Sequence, residues 1–74
     1  MTEKEREILK RFGDTLHRIR VEKELSLRDL EANCQVAHNK ISRIERALIN
    51  PTLVTIAALA KGLGVEVRDL VEEV

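Results

Sequence analysis

The apolar residues of this chain recur every three or four positions through most of its length. In the first third they fall within roughly a 100° arc of a helical wheel, which indicates one face of a helix. Thr2 can cap this helix and Glu5 can complete a capping box, so the pattern predicts a first helix from Thr2 to about Lys23. Its predicted buried residues are Ile8, Leu9, Phe12, Leu16 and Ile19.

Two shorter helices are expected next, with a tight turn between them. Ser26 can cap the second helix, with Asp29 three positions further on, and a turn is expected near residues 33–36. The third helix is predicted over residues 37–47. It should end before Pro51, because the residue that precedes a proline is disfavoured in helical geometry.

A fourth and a fifth helix complete the chain. Thr52 can cap the fourth helix, and Gly64 can end it by adopting the left-handed conformation. A fifth, short helix is predicted to begin near Glu66. Because no segment shows the alternation typical of strands, the predicted fold class is all-α. The predicted buried residues of the fourth helix are Leu53, Ile56, Leu59, Ala60 and Leu63.

The third helix separates its apolar and polar residues onto opposite sides. One side is suited to packing against the rest of the domain, and the other is left to face outward. Guanidinium, amide, hydroxyl and imidazole groups can pair with base edges and phosphates in the major groove of DNA. The apolar set is Ala37, Ile41, Ile44 and Leu48, and the polar set is His38, Asn39, Ser42, Arg43 and Arg46.

Size and composition favour one small helical domain. The chain has 74 residues, of which 43% are hydrophobic and 35% charged, so disorder is not expected. Its only cysteine, Cys34, cannot form an internal disulfide and is expected to be a small buried residue. With His17 and His38 as the only histidines, no zinc-ligand spacing is present, and neither a metal nor another cofactor is expected. The sequence shows no signal peptide or membrane-spanning run, which favours a cytoplasmic protein without a membrane partner.

The net charge of the chain is zero, but its charges are unevenly distributed. Residues 36–61 carry a net charge of +3, whereas residues 66–74 carry a net charge of −3. One part of the chain would attract phosphate and the other would repel it. A complex with DNA would therefore have a defined orientation.

Two stretches of the chain form a specific combination. Residues 41–46 have the sequence Ile-Ser-Arg-Ile-Glu-Arg, and residues 50–53 have the sequence Asn-Pro-Thr-Leu. With them, the chain resembles the Cro/Xre-type helix-turn-helix family of phage repressors and small bacterial regulators over roughly residues 12–71. The resemblance implies a compact five-helix, lambda-repressor-like DNA-binding domain over residues 1–74, with the helix-turn-helix at helices two and three. Residues 1–11 would then be an N-terminal extension of the first helix.

The resemblance also implies roles for individual residues. In this family the third helix enters the major groove of double-stranded DNA, and its N-terminal residues face base edges. The residues that would contact bases are His38, Asn39, Ser42 and Arg43. Those that would contact phosphates are Ser26, Arg28, Lys40, Arg46 and Thr52. The family further pairs an arginine of the first helix with the glutamate near the end of the third, which here implies a structural ion pair between Arg20 and Glu45.

Five residues depart from the family pattern. Three of them change the turn or the ends of the third helix, because a glycine of the turn, a hydroxyl cap and a terminal glycine are each missing. Glu31 is expected to point into solvent, and His17 is expected to be an uninvolved surface residue. The departures are Leu27 in place of glutamine, Glu31 in place of alanine, Gln35 in place of glycine, Ala37 in place of a hydroxyl residue, and Ala47 in place of glycine.

The last helix carries an apolar stripe at helical spacing, formed by Val67, Leu70, Val71 and Val74. This stripe is long for so short a helix to bury in its own domain. Residues 66–74 are therefore interpreted as a dimerisation helix, and the alternative is that all four residues complete the monomer core. A two-fold dimer would contact two half-sites one helical turn of DNA apart.

These patterns favour a sequence-specific regulator of transcription, most simply a homodimeric repressor or autoregulator. The alternative is an antitoxin-like or other protein-interaction module, whose partner could be a toxin and whose DNA binding would be weak or secondary. An enzyme is not expected, because the adjacent carboxylates of Glu72 and Glu73 project in different directions on a helix and cannot share a substrate.

Overall fold

The computed structural model describes residues 1–74, and every regular element in it is a helix. The all-α prediction is therefore confirmed, together with the number and order of the helices. The five helices are α1 (Glu3–Glu22), α2 (Leu27–Cys34), α3 (His38–Glu45), α4 (Leu53–Leu63) and α5 (Val67–Val71).

Local capping interactions explain where the helices begin. Thr2 Oγ1 accepts from the backbone N–H of Glu5 at 3.1 Å, and Glu5 Oε1 accepts from the backbone N–H of Thr2 at 2.7 Å. Ser26 and Asp29 form the same reciprocal pair at the start of α2, with both distances 2.9 Å. These hydrogen bonds favour the ionised carboxylates and hold the pKa of Glu5 and of Asp29 below its ordinary value. The predicted caps at both helices are present.

Every helix contributes to one core. The six largest side chains with almost no solvent exposure are Leu16, Leu30, Ile41, Ile44, Leu59 and Leu70. Burial of each such side chain contributes about 1.5 to 3 kcal/mol relative to leaving it exposed. Because α3 supplies two of the six, the core fixes the position and the rotation of that helix.

Two glycines allow the helices to approach closely. A Cβ atom on Gly13 would lie 2.5 Å from the carbonyl oxygen of Glu45 and 2.7 Å from that of Ile44. The end of α3 therefore packs directly on the backbone of α1. A Cβ atom on Gly62 would lie 2.7 Å from the Cβ atom of Cys34, so α4 meets α2 in the same manner. Cys34 is half-buried at this contact, less than expected.

Four apolar residues predicted to pack inside the domain are exposed instead. One of them, Ala37, precedes the first residue of α3. Ile8 lies at the edge of the apolar arc of α1, in its N-terminal half. Leu48 lies beyond the end of α3, which stops at Glu45 rather than at residue 47, so the helical wheel does not apply to it. Leu53 is the first residue of α4, and 74% of it is exposed. Periodicity overestimates burial at helix ends, where the neighbouring helices no longer reach.

The turns that flank α3 use left-handed backbone without glycine. Gln35 has a φ of 61° and Ala47 a φ of 60°, at the two positions where the family more often has glycine. Each costs about 1 to 2 kcal/mol relative to right-handed backbone. Gly64 ends α4 with a φ of 73°, as predicted, at no such cost.

Candidate nucleic-acid interface

The outward side of α3 is not covered by the rest of the domain. Ile41 and Ile44 are buried and hold the helix in place, while Asn39, Lys40 and Arg43 are exposed on the other side. The side chains of these three residues form no hydrogen bond or ion pair within the protein. Their donors and acceptors are free to meet a ligand.

Ser42 and Arg46 complete this side of α3. Ser42 is half-buried, and its hydroxyl has no partner within the protein. Arg46 follows the last turn of α3 and is exposed, and its Nε donates to the carbonyl oxygen of Ser42 at 3.3 Å. This bond fixes Nε of the guanidinium group and leaves Nη1 and Nη2 free. Arg46 therefore projects from the C-terminal end of α3.

The N-terminal end of α3 is capped by a residue of α2. Ala37 occupies the cap position and offers no side-chain acceptor. Glu31 Oε1 accepts instead from the backbone N–H of His38 at 3.1 Å and lies 2.7 Å from His38 Nδ1. These hydrogen bonds lower the pKa of Glu31, with a smaller contribution from the positive charge of Arg28. The expectation that Glu31 points into solvent is therefore wrong.

This contact changes what His38 can offer to a ligand. A carboxylate oxygen can only accept, so Nδ1 of the imidazole carries the proton. The ring is half-buried, and its Nε2 is the nitrogen left without a partner. The sequence contained a signal for this contact. Residue 31 is a glutamate where the family has alanine, and residue 37 is an alanine where the family has a hydroxyl cap, so Glu31 supplies the acceptor that Ala37 lacks.

A buried ion pair anchors the C-terminal end of α3. Arg20 Nε donates to Glu45 Oε2 at 2.6 Å, and Arg20 Nη2 donates to Glu45 Oε1 at 3.0 Å. Arg20 Nη1 also donates to the carbonyl oxygen of Leu25 at 2.8 Å, which ties the pair to the turn between α1 and α2. Only 11% of the Arg20 side chain and 7% of the Glu45 side chain are exposed. The hydrogen bonds to Glu45 raise the pKa of Arg20.

His17 belongs to the same cluster. Its Nδ1 lies 2.9 Å from Glu45 Oε1 and 3.2 Å from Arg20 Nη2. The expectation that His17 is an uninvolved surface residue is therefore wrong, although most of its ring is exposed. The available signal was its spacing, because His17 lies three residues before Arg20 and so projects from the same side of α1.

The hydroxyl groups expected at the phosphates are already engaged in caps. Thr52 Oγ1 accepts from the backbone N–H of Thr55 at 3.1 Å and donates to Thr55 Oγ1 at 3.0 Å. Ser26 Oγ accepts from the backbone N–H of Asp29. The first backbone N–H groups of α2 and α4 have no partner within their helices. Arg28, at the start of α2, is exposed and forms no ion pair.

The apolar stripe of α5 is largely used within the domain. Leu70 is fully buried in the core and is not available to a partner, so its assignment to a dimer surface is wrong. Val67 and Val71 are half-buried against that core, and Val74 is exposed. Sequence patterns missed an exposed apolar pair in the first turn of α4, where Leu53 is 74% and Val54 79% exposed.

The structure also bears on other kinds of site. It contains no group of three or more His, Cys, Asp or Glu side chains arranged to hold a metal ion. None of its helices combines the length and the apolar composition that crossing a membrane requires.

The fold and the uncovered face of α3 define a class of protein. Two helices, α2 and α3, are joined by a short turn, and the second is held by its apolar side with its polar side outward. This is the geometry of a helix-turn-helix DNA-binding domain. Residues 11–74 match the family model described as "Helix-turn-helix domain", so the chain belongs to the helix-turn-helix family. The resemblance to Xre-type regulators is confirmed.

Two curated relatives are transcriptional regulators by name. The chain is 36% identical over 61 residues to the "HTH-type transcriptional regulator DdrOP3" of Deinococcus deserti, covering 82% of this chain and 47% of that protein. It is 37% identical over 62 residues to the "Uncharacterized HTH-type transcriptional regulator y4dJ" of Sinorhizobium fredii, covering 84% and 80% respectively. The chain thus spans about half the length of the first relative. The family is not one of enzymes, as predicted.

Two crystal structures share the fold. The restriction-modification controller protein C.AhdI from Aeromonas hydrophila has a TM-score of 0.82 and 34% sequence identity, over 84% of this chain and 94% of that chain. The clp gene regulator ClgR from C. glutamicum also has a TM-score of 0.82, with 26% identity over 89% and 86% of the two chains. The lambda-repressor-like architecture is therefore confirmed.

Proposed function

We propose that this chain is a sequence-specific regulator of transcription that inserts α3 into the major groove of double-stranded DNA, acting as a homodimeric repressor or autoregulator. The observation that carries the proposal is the uncovered polar side of α3. Asn39, Lys40 and Arg43 are exposed and have no partner within the protein. A helix held by its apolar side, with amide and guanidinium groups outward, is what insertion into the major groove requires.

Three of the side chains suit direct contact with bases. Asn39 lies in the first turn of α3 and can form a paired contact with adenine N6 and N7. Arg43 lies one turn further along and can form a paired contact with guanine O6 and N7. Each such pair discriminates against a wrong base by about 1 to 3 kcal/mol. Ser42, which is half-buried between them, would be limited to a closer or water-mediated contact.

His38 would contact bases with a fixed ring orientation. Because Glu31 contacts Nδ1, Nε2 is the nitrogen that would face the bases. Substitution of His38 by alanine should remove a base preference at one base pair, and Glu31→Ala, which frees the ring to rotate, should weaken the same preference. An unchanged consensus in both variants would contradict this orientation.

The phosphate contacts would come from side chains and backbone together. Lys40, Arg28 and Arg46 are exposed and cationic, and each lies at an end of α2 or α3. The hydroxyls of Ser26 and Thr52 are engaged in caps, so these two positions would act through the free N–H groups of the helix turns that they begin.

Dimer formation would supply the specificity that one small domain lacks. A single module contacts few base pairs, whereas a two-fold dimer contacts two half-sites. The exposed portions of Val67, Val71 and Val74 support a dimer surface on α5, and the acidic charges of that segment would keep it away from DNA. Sedimentation of the V71S/V74S variant tests this surface, with L53S/V54S as the comparison. If only the second variant dissociates, the surface lies at the start of α4 instead.

The competing function is an antitoxin-like or other protein-interaction module. It depended on the apolar stripe of α5 and on the N-terminal extension of α1. The burial of Leu70 leaves only part of that stripe for any partner, a second copy of this chain included. DNA binding through α3 does not depend on the stripe and is therefore the better supported function.

Selection of bound sequences from a random duplex pool tests the proposal directly. We expect a palindromic consensus and an affinity that falls steeply with salt, because several phosphates are neutralised. Arg43→Ala should relax the preference at one position, whereas Arg46→Ala should weaken all sequences about equally. Lys4→Ala is the control, since Lys4 is an exposed cation on α1 without an ion pair. Unchanged DNA binding in both arginine variants would refute the assignment of α3.

A further inference from the structure

A groove of about 540 Å³ lies beside the C-terminal end of α3 and outside the helix-turn-helix itself. One wall is the N-terminal half of α1, and the other is the segment that follows α3. The groove residues that matter here are Arg6, Lys10 and Asp14 on the first wall, and Arg46, Ala47 and Leu48 on the second. Arg6 and Lys10 precede residue 11, so they lie outside the part of the chain that matches the family model.

The charges that line this groove do not balance. Asp14 accepts from Lys10 Nζ at 3.0 Å, so these two charges offset each other. Glu45 also lines the groove, but its carboxylate is occupied by Arg20 and His17. Arg6 and Arg46 form no ion pair. The groove therefore presents two free guanidinium groups, one from each wall, and is suited to an anion.

The groove and α3 form one rigid unit. The packing of Gly13 on the backbone of Glu45 and the buried bond from Arg20 to Glu45 fix α1 against the end of α3. Arg6 and Lys10 are one helical turn apart, about 6 Å along the axis, on the side of α1 that faces this end. Arg46 caps α3 and also lines the groove, so it connects the polar side of α3 with the cations of α1.

We propose that the free guanidinium groups of Arg6 and Arg46, with the paired Lys10 beside them, form a phosphate-binding groove for duplex DNA, which extends the contact from the bases that face α3 to the flanking backbone. This inference depends on the proposed function, because α3 must first place the duplex beside the groove. Continuity with α3 favours the DNA backbone over an acidic protein as the occupant. The N-terminal half of α1 is then a part of the DNA-binding surface.

The test compares two double variants with matched charges. R6A/K10A removes one free cation and one paired cation from the groove, where Lys10 pairs with Asp14. K4A/R11A removes the same two kinds of cation from positions of α1 that do not line the groove, where Arg11 pairs with Glu7 at 3.2 Å. Binding of each to a random-sequence duplex of about 30 base pairs is measured by fluorescence anisotropy over a salt series, and circular dichroism confirms that both variants fold.

The expected result is a change in salt dependence for the groove variant alone. Because Lys10 is already paired with Asp14, the variant loses one free cation, which should reduce the slope of log affinity against log salt by about 0.9. Between 50 and 200 mM salt, the wild-type affinity would then fall about three- to fourfold more than that of R6A/K10A. K4A/R11A should retain the wild-type slope.

Two outcomes separate this inference from the function on which it depends. If wild-type protein binds the duplex and Arg46→Ala weakens it, but R6A/K10A and K4A/R11A behave alike, the groove on α1 takes no part and this inference is wrong. If wild-type protein shows no salt-dependent binding to duplex DNA, the proposed function itself fails.

Discussion

The two ends of α3 are held in different ways. Its C-terminal end is fixed by a buried ion pair and by direct contact with the backbone of α1 at Gly13. Its N-terminal end is held by one partly exposed carboxylate, that of Glu31, which bonds to the backbone and the ring of His38.

The difference teaches how the domain separates stability from specificity. The C-terminal end of α3 depends on both members of its ion pair, because an uncompensated charge inside the protein is costly. The exposed end faces solvent and can be varied with a modest effect on folding, although it places the side chains closest to the proposed bases. We expect changes at the first end to unfold the domain and changes at the second to alter which DNA is bound.

The largest effect is expected from Gly13→Ala. The new Cβ atom would lie 2.5 Å from the carbonyl oxygen of Glu45, and backbone atoms cannot move aside as the end of a side chain can. We expect a loss of about 3 kcal/mol of stability, measured by urea unfolding. Asp14→Ala, at the neighbouring exposed position, is the control and should change stability by less than about 1 kcal/mol. Equal midpoints for the two variants would show that α1 and α3 are not locked at Gly13.

Glu45→Ala should have the next largest effect, because it leaves Arg20 buried without its partner. We expect it to destabilise the domain by about 2 kcal/mol, less than at a fully buried pair because part of Arg20 is exposed. Replacement of both charges, as in R20M/E45M, should recover part of that loss because no buried charge is left unpaired. A double variant less stable than Glu45→Ala, by thermal unfolding, would contradict this account.

A smaller effect is expected at the N-terminal end. Glu31→Ala removes the cap of α3 and should lower the unfolding temperature by about 5 °C. Ala37→Ser in the same chain should restore most of that stability, because serine can cap the helix in the usual way. By itself Ala37→Ser should change little, since the N–H of His38 is already bonded.

The same variants test whether Glu31 only caps α3 or also orients His38 for base contact. E31A/A37S should regain stability but not the preference at the base pair that faces His38, because its ring has lost the carboxylate that orients it. If stability and preference return together, Glu31 acts only as a cap.

The smallest effect is expected from pH. The pKa of Glu31 is lowered in the folded protein, so its contribution to stability is complete above its ordinary value of about 4.3. That contribution is lost as the pH falls through the lowered folded value. Glu31→Gln should therefore lose less stability than wild type between pH 7 and about pH 3, measured as urea midpoints. Glu73→Gln, an exposed carboxylate without an ion pair, should behave as wild type.

The sequence by itself determined the helices and the orientation of α3. The capping residues Thr2 and Ser26 and the terminal Gly64 act within three or four positions of the bonds they form, so local patterns locate the helix ends. The helical periodicity that buries Ile41 and Ile44 also exposes Asn39 and Arg43, because all four lie on one rigid helix. The pairing of Arg20 with Glu45 was implied by family resemblance and lies where it was expected.

Only the tertiary structure decided which of the remaining polar groups meet. Glu31 and His38 come together across a turn, and His17 reaches Glu45 over 28 positions. Arg6 and Arg46 line one groove because α1 packs on the end of α3. It also decided that Leu70 is buried, since burial depends on what the other helices leave uncovered. Local patterns depend on residues that are neighbours along the chain. Contacts between helices depend on how the helices pack, which is decided only when the core forms.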